Sequence, residues 1–478
     1  MAVRRASSLW RLPGMECMHA SNPSHLRLRH RNLALVTLCL AVLIAQVDTA
    51  VVNLAVRRIG QAFSSGLDAL QWVVDGYNLV YAVMLLTGGL LADLKGRRLI
   101  FMAGAAIFTA ASLLCAFSPT IGVLIAARAT AGLGAALLMP SSLAILSVMW
   151  PDQAERGRAL GIWAACNGVA MAIGPTLGGA LLHAFGWPSI FLVVVPIGLA
   201  ALVLAALVIP ESADPQERHF DGGAQAFGAA ALGGFAFAAI AMRETPPVAL
   251  IAAFLAMVSL FSFITIERRH GHRAMVPLDI FENTIFRGTV TATAGMTFGM
   301  YGTLFLLPLF WQEAGRLSPA MAGLALMPMA AVFVLVSPFS GFLGRRIGMR
   351  MMTGGGVAII GCGLLSIAAG AHHVSILPAE IGLAFTGLGM GMATGPLMGE
   401  AVGAVASARA GTASAIINVA RMVGATVGVA VLGSLYAILG GGAAGLAGAM
   451  TMGGLVQIFA AASAWRAAAL RKPAGRRA

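Results

Sequence analysis

Gly89-Leu90-Leu91-Ala92-Asp93-Leu94-Lys95-Gly96-Arg97-Arg98 is a short charged break between two apolar runs. A later break, Gly341-Phe342-Leu343-Gly344-Arg345-Arg346-Ile347-Gly348-Met349-Arg350, repeats its frame. Gly341 falls on Gly89, Gly348 on Gly96 and Arg350 on Arg98, at one constant offset. The first break follows the second apolar run of the chain, and the other follows the tenth. Two six-helix halves with two intervening helices give this spacing. Duplicated halves packed about a membrane-normal axis place a substrate site at their interface.

Outward from these breaks the chain is apolar. Of its 478 residues 59% are hydrophobic and 10% charged, where a soluble domain has about 25% charged. Mean hydropathy is +0.87. A membrane helix needs about 20 apolar residues, so the composition allows about fourteen. It excludes a soluble enzyme, a secreted disulfide scaffold and a disordered chain. Long apolar runs also exclude a β-barrel. The runs predict spans at 33–55, 72–92, 99–117, 121–148, 157–182, 188–209, 223–242, 247–266, 287–312, 319–340, 351–370, 378–400, 411–438 and 447–465. The expected fold is an all-α membrane protein of 14 transmembrane helices. Its divisions are a tail at 1–32, a half at 33–210, two extra helices and linkers at 211–286, a second half at 287–466 and a tail at 467–478.

The net charge is +13. In a membrane chain that charge belongs to cytoplasmic loops, not to a nucleic-acid surface. With the N-terminus inside, 25 of the 31 Lys and Arg fall on the cytoplasmic side. Arg57, Arg58, Arg243 and Arg316 fall outside, and Arg128 and Arg421 fall within spans. That split predicts two cytoplasmic termini. The first run is long and contains Asp48, so it reads as a retained span and not as a signal peptide. Met15 and Met18 lie nearer to it as alternative starts. The five scattered cysteines show no metal-ligand spacing and predict no disulfide.

Four motifs in order resemble the major facilitator superfamily. The loop at 89–98 resembles its signature loop. Asp48-Thr49-Ala50-Val51-Val52-Asn53 resembles the first-span motif of its fourteen-span drug:proton antiporters. Arg128-Ala129-Thr130-Ala131-Gly132-Leu133-Gly134 resembles the fourth-span motif, and Gly174-Pro175-Thr176-Leu177-Gly178-Gly179 the fifth-span antiporter motif. Met139-Pro140-Ser141-Ser142-Leu143 and Gly186-Trp187-Pro188-Ser189-Ile190-Phe191 are similar to the methylenomycin A resistance subgroup. Leu94, Ala131 and Arg57-Arg58 depart from the family pattern in the loop, the fourth-span motif and the outer mouth. The resemblance implies proton-coupled export of small amphipathic or apolar compounds, antibiotics included. It implies no cofactor, no enzymatic activity and a bacterial inner-membrane location.

An ionisable group inside a membrane is costly and marks function by default. Asp48 and Arg128 each lie about seven residues from the outer end of a span, at roughly equal depth of 10 Å. We expect them to interact, directly or through water. A desolvated carboxylate at that depth can carry a proton. The alternatives are a carboxylate satisfied by Thr49, Asn53 or a neighbouring helix, and an arginine bound to backbone carbonyls. Pro175 bends its helix at the same depth, and Gly178 and Gly179 admit a neighbour. In the loop, Gly89 and Gly96 allow tight turns, Asp93 is a candidate latch across a helix interface, and Arg97 and Arg98 face the cytoplasm. Asn78, Asn167, Asn418 and Arg421 lie near mid-span and are candidates for the cavity wall or for helix–helix hydrogen bonding. No phosphate loop or hydrolase motif is present in the sequence. The expected partners are a small-molecule substrate, protons and the lipid bilayer, with the chain a monomer. A dedicated exporter of one metabolite or siderophore, and a non-transporting membrane receptor, are the alternatives.

Overall fold

The computed structural model describes residues 23–213, 221–242, 245–271, 276, 278–372, 376–405 and 410–469. Nearly all of them are helical, because a segment within a bilayer must satisfy its own backbone N–H and C=O groups. The helices of the first half are α1 (Pro23–Phe63), α2 (Leu67–Lys95), α3 (Arg97–Ala116), α4 (Ile121–Met149), α5 (Gln153–Phe185), α6 (Ser189–Leu192) and α7 (Val194–Val208). Next come α8 (Gly222–Ala241) and α9 (Pro246–His270). The second half holds α10 (Thr284–Glu313), α11 (Pro319–Ala325), α12 (Met327–Val336), α13 (Ser340–Ile347), α14 (Gly356–Gly370), α15 (Leu377–Gly403), α16 (Ala410–Ile438) and α17 (Gly442–Ala469). Among the described residues, thirteen helical units are long and apolar enough to cross a membrane. The 33-residue α5, about 50 Å at 1.5 Å per residue, brings the number to fourteen. The chain is an all-α, multi-pass membrane protein.

Three spans differ from the sequence expectation. The first helix begins at Pro23, upstream of residue 33. The sixth is divided at Val193 into α6 and α7. The tenth is broken into α11, α12, a 3-10 turn at Ser337–Phe339 and α13. Proline explains the last case. Pro319, Pro328 and Pro338 each open a new segment, where no N–H is needed. Pro140, Pro308 and Pro396 instead lie inside unbroken helices. The carbonyl that Pro140 cannot serve, that of Ala136, packs directly on Gly88 of α2, where a Cβ would collide with it.

The helix pairings of the first half recur in the second. α1 packs on α5 and α7, α3 on α4 and α7, and α2 on α4. Correspondingly, α10 packs on α16 and α17, α14 on α15 and α17, and α12 on α15. The two similar loops share a cap as well. Gly96 and Gly348 both have positive φ, 115° and 88°, and their N–H groups return to Ala92 and Gly344. α8 and α9 pair with each other, and α8 also touches α2 and α16. Only 11% of the apolar window of α9 is buried, so Phe254 and Phe261 project outward. That places α9 at the periphery.

Two ends of the bundle differ. By the alternation of the helices, Lys95, Arg97, Arg98, Arg268, Arg269, Arg287, Arg346 and Arg350 fall at one, the basic end. At the opposite end one core joins both halves, from Val51, Leu54 and Val73 to Phe305, Trp311 and Ala322. Toward the basic end the cores are separate, one around Phe101, Leu138 and Trp150 and another around Ile280, Phe286 and Ile416. The opposite end is also where polar groups cross. Gln312 Nε2 donates to the Leu54 carbonyl at 3.1 Å, and Gln71 Nε2 to those of Val429 and Ala430 at 3.2 and 3.1 Å. The halves are therefore sealed at the end away from the basic loops. Arg218, Arg243, Arg273, His373, Arg409, most of the 1–32 tail and the residues after 469 lie outside the described residues.

Candidate functional site

Thr120 caps α4, its hydroxyl oxygen accepting the Val123 N–H, and the helix carries Arg128 inward two turns later. Arg128 Nη1 donates to Asp48 Oδ2 on α1 at 2.6 Å. The side chains are 2% and 0% exposed. Arg128 Nε donates to the Val73 carbonyl of α2 at 3.1 Å. Its guanidinium lies over the Tyr77 ring at 4.6 Å and the Phe191 ring at 5.8 Å. One cation thus ties α1, α2 and α6 to α4. Asp48 Oδ1 has no hydrogen-bond partner. Thr49 and Asn53 do not serve the carboxylate, since each bonds a carbonyl of its own helix, Ala45 and Thr49 respectively. The arrangement is a buried ion pair with one unoccupied carboxylate oxygen, which suits exchange of a proton.

The Gly186–Phe191 segment supplies the second ring. Gly186 ends α5 at φ 78°. The Ser189 hydroxyl donates to the Gly186 and Leu181 carbonyls at 2.6 and 3.1 Å. Trp187 stacks edge-on against Phe191, which fixes Phe191 above Arg128. Its role could not be read from spacing, because it lies outside the four polar motifs.

The glycines of α5 face two ways. A Cβ on Gly174 would come 2.7 Å from Ala50 Cβ, and one on Gly178 2.5 Å from Val51 Cγ1, both on α1. One on Gly179 would come 2.8 Å from Ala320 Cα of α11, in the other half. Thr176 Oγ1 donates to Met327 Sδ at 3.1 Å beside it. The side chains of Pro175, Asn167, Arg156, Arg158 and Arg345 lie outside the described residues.

At the basic end Asp93, in the last turn of α2, is held by the first residue of α3. Its partner is Arg97, one turn on, at 2.8 Å. Arg98 Nη2 donates to the Ala206 carbonyl at 2.8 Å. The residue that organises the loop is Glu211, just after α7, which the sequence reading had missed. It accepts the Arg98 and Leu99 N–H groups at 3.1 Å each. Ser212 O accepts the Arg97 N–H at 2.8 Å. These are orphan donors of the first turn of α3. Gly89 meets Pro140, and a Cβ on Gly96 would come 2.8 Å from the Glu211 carboxylate. Glu211→Ala is expected to lower stability by about 1 kcal/mol, as loss of a helix cap does. Arg97→Gln, which removes a part-exposed pair, should stay within about 0.5 kcal/mol. Thermal melts of the solubilised protein check the order; equal effects would refute the capping role.

Midway through the bundle, Asn78 is buried with both amide atoms unpartnered. Asp75, a turn nearer the opposite end, is fully buried, and neither carboxyl oxygen has a hydrogen-bond partner. Asn418 Nδ2 donates to the Ser414 carbonyl at 3.0 Å, and Arg421 is partly exposed. Glu400 is buried in the last turns of α15. Among the described residues no three His, Cys, Asp or Glu side chains gather as metal ligands.

Comparison with known proteins gives the family of the chain. The chain is 35% identical over 412 residues to "Multidrug resistance protein Stp" of Mycobacterium tuberculosis, covering 86% of this chain and 76% of that one. It is 36% identical over 441 residues to "Methylenomycin A resistance protein" of Bacillus subtilis, covering 90% and 93%. The fold superposes with a TM-score of 0.66 on the crystal structure of a bacterial homologue of the human lysosomal transporter Spinster. That match has 18% identity and covers 92% of this chain and 97% of the other. Residues 38–429 match the Major Facilitator Superfamily, and the chain belongs to that superfamily of transporters.

Proposed function

We propose that the protein exports small amphipathic or apolar compounds, antibiotics among them, in exchange for protons. The observation that carries this reading is the Asp48–Arg128 pair, an ionisable couple enclosed at 2.6 Å inside the membrane-spanning region. A buried pair that costs this much desolvation is retained for a task, and proton exchange at Asp48 is the chemistry it offers. The names of the relatives support the cargo. No catalytic chemistry is assigned.

The concentration of Lys and Arg at one end supports a cytoplasmic position for that end and for both termini. In that orientation the closed end is the outer one. Residues 33–210 and 287–466 act as the moving halves, 211–286 as the insert, and one chain is the working unit. Protonation of Asp48 weakens its hold on Arg128 and frees α1 and α4 to shift. The motif Gly174, Pro175, Gly178 and Gly179 serves the outer gate, with Gly179 at the seam and Gly174 and Gly178 holding α5 on α1, while Gly89, Asp93, Gly96, Arg97 and Arg98 steady the cytoplasmic side. Asn78, Asn418 and Arg421 are assigned to the transport path, and Asn167 joins them by its mid-span position in the sequence alone.

Expression in a pump-deficient bacterium tests the reading. Resistance should rise at least about fourfold for some members of an antibiotic panel. It should fall back when a protonophore collapses the gradient. No change for any compound, at verified membrane abundance, would overturn it. Resistance to one compound alone would favour the dedicated metabolite exporter.

A further inference from the structure

Arg421 lies about 12 Å along α16 from the point where Gln71 bonds Val429 and Ala430, counting 1.5 Å per residue. α2 and α16 run antiparallel there, so Tyr81 of α2 comes level with Arg421. Arg421 is the charge that acts on Tyr81, and also on Tyr301 of α10. A guanidinium at mid-membrane therefore sits at the seam of the two halves, level with a phenol of the first half and within electrostatic range of one from the second.

No described acid pairs with it. Its Nε is enclosed without a hydrogen-bond partner, and among the described residues its side chain forms no ion pair. Residues 287–466 contain three acids, Glu313, Glu380 and Glu400, all in first or last turns of helices. Asp48 is committed to Arg128. Asp75 lies about 9 Å along α2 from Tyr81, counting 1.5 Å per residue, and forms no ion pair among the described residues. By sequence position, the other arginines of the second half lie in loops or terminal turns. An arginine costs about 2.5–3.5 kcal/mol at the centre of a membrane helix. Arg421 bears that cost with no ion-pair partner among the described residues to offset it. Arg421 offers guanidinium N–H donors there, and each phenol has a hydroxyl that can donate as well.

We propose that Arg421, with Tyr81 and Tyr301, binds the anionic group of the transported molecule, and that the cargo is an amphipathic organic anion. This rests on the exporter reading above and narrows its substrate class. A planar oxyanion fits the guanidinium in bidentate fashion, and a lysine reproduces the charge without the fork. The apolar body of the cargo would lie along Met422 and its neighbours.

The test uses the purified full chain in proteoliposomes with an imposed proton gradient. The probes are naphthalene-2-sulfonate and a naphthyl trimethylammonium of similar size. Both are permanently charged, so neither crosses the bilayer alone or dissipates the gradient. The wild type should move the sulfonate and not the ammonium. Arg421→Gln should lower sulfonate transport by about 10–100-fold, the loss expected for a charged hydrogen bond. Arg421→Lys should keep the anion preference with a raised KM, which holds the test open if the glutamine variant folds poorly. Preference for the ammonium, sulfonate transport unchanged in Arg421→Gln, or lost anion preference in Arg421→Lys would overturn the inference and leave the exporter standing. If neither probe moves and no antibiotic of the resistance panel is exported, both readings fall together.

Discussion

Asp48→Asn will uncouple export from the proton gradient while leaving a folded protein in the membrane. The amide keeps the shape of the carboxyl and an oxygen for Arg128 Nη1, which now donates to Oδ2 at 2.6 Å. The Val73 carbonyl and the two ring faces still hold the guanidinium. What disappears is the exchangeable proton. The variant therefore resembles the protonated state permanently. Net proton-driven transport should fall to background, whereas exchange of labelled for unlabelled substrate, which moves no net proton, should persist. Asp48→Leu removes the acceptor too and leaves an arginine that cannot shed its charge. Breaking a buried pair in this way costs about 3–5 kcal/mol, so that variant should be poorly folded. Asp48→Leu combined with Arg128→Met should recover much of the stability, since apolar replacement of a whole buried pair is close to neutral. It should recover no coupling. Thermal melts and the two transport assays separate these outcomes. Proton-dependent export by Asp48→Asn would move the proton site elsewhere.

The depth of that pair was legible in the sequence, and its surroundings were not. Counting residues from a span end gives depth, so Asp48 and Arg128 could be set level. Which way each side chain points is a question of azimuth. In a soluble helix the apolar stripe fixes it, but a helix apolar all round carries no such phase. Val73, Tyr77 and Phe191 were hidden for that reason, as were Tyr81 and Tyr301 around Arg421. The repeat of Gly96 at Gly348 was readable, because a positive φ at a helix end demands glycine. Glu211 was not, because a carboxylate that caps a helix more than a hundred residues away leaves no local pattern. Pro328 and Pro338 looked as harmless as Pro140, since tolerance of an interior proline depends on the neighbour that meets the freed carbonyl.

Gly178 and Gly179 look equivalent in sequence, and their replacement by leucine should fail in different ways. Gly178 faces Val51 within its own half. Leucine there overpacks α1 against α5 in every conformation, at about 1–3 kcal/mol, and should lower the melting temperature. Gly179 faces Pro319 and Ala320 across the seam, with 3.0 Å to the Pro319 oxygen from a Cβ placed there. A leucine at 179 strains only the state in which this end is shut. A strain of about 1–3 kcal/mol confined to one state shifts a two-state balance by about 5–150-fold. Gly179→Leu should therefore insert and melt nearly as the wild type does, yet export little, because the outer end no longer closes. A cysteine at Ala320 reports this directly. Its reaction with a membrane-impermeant thiol reagent should accelerate in the Gly179→Leu background and not in the Gly178→Leu one. Normal export by Gly179→Leu, or a loss of stability matching that of Gly178→Leu, would show that this contact is simple packing and not the gate.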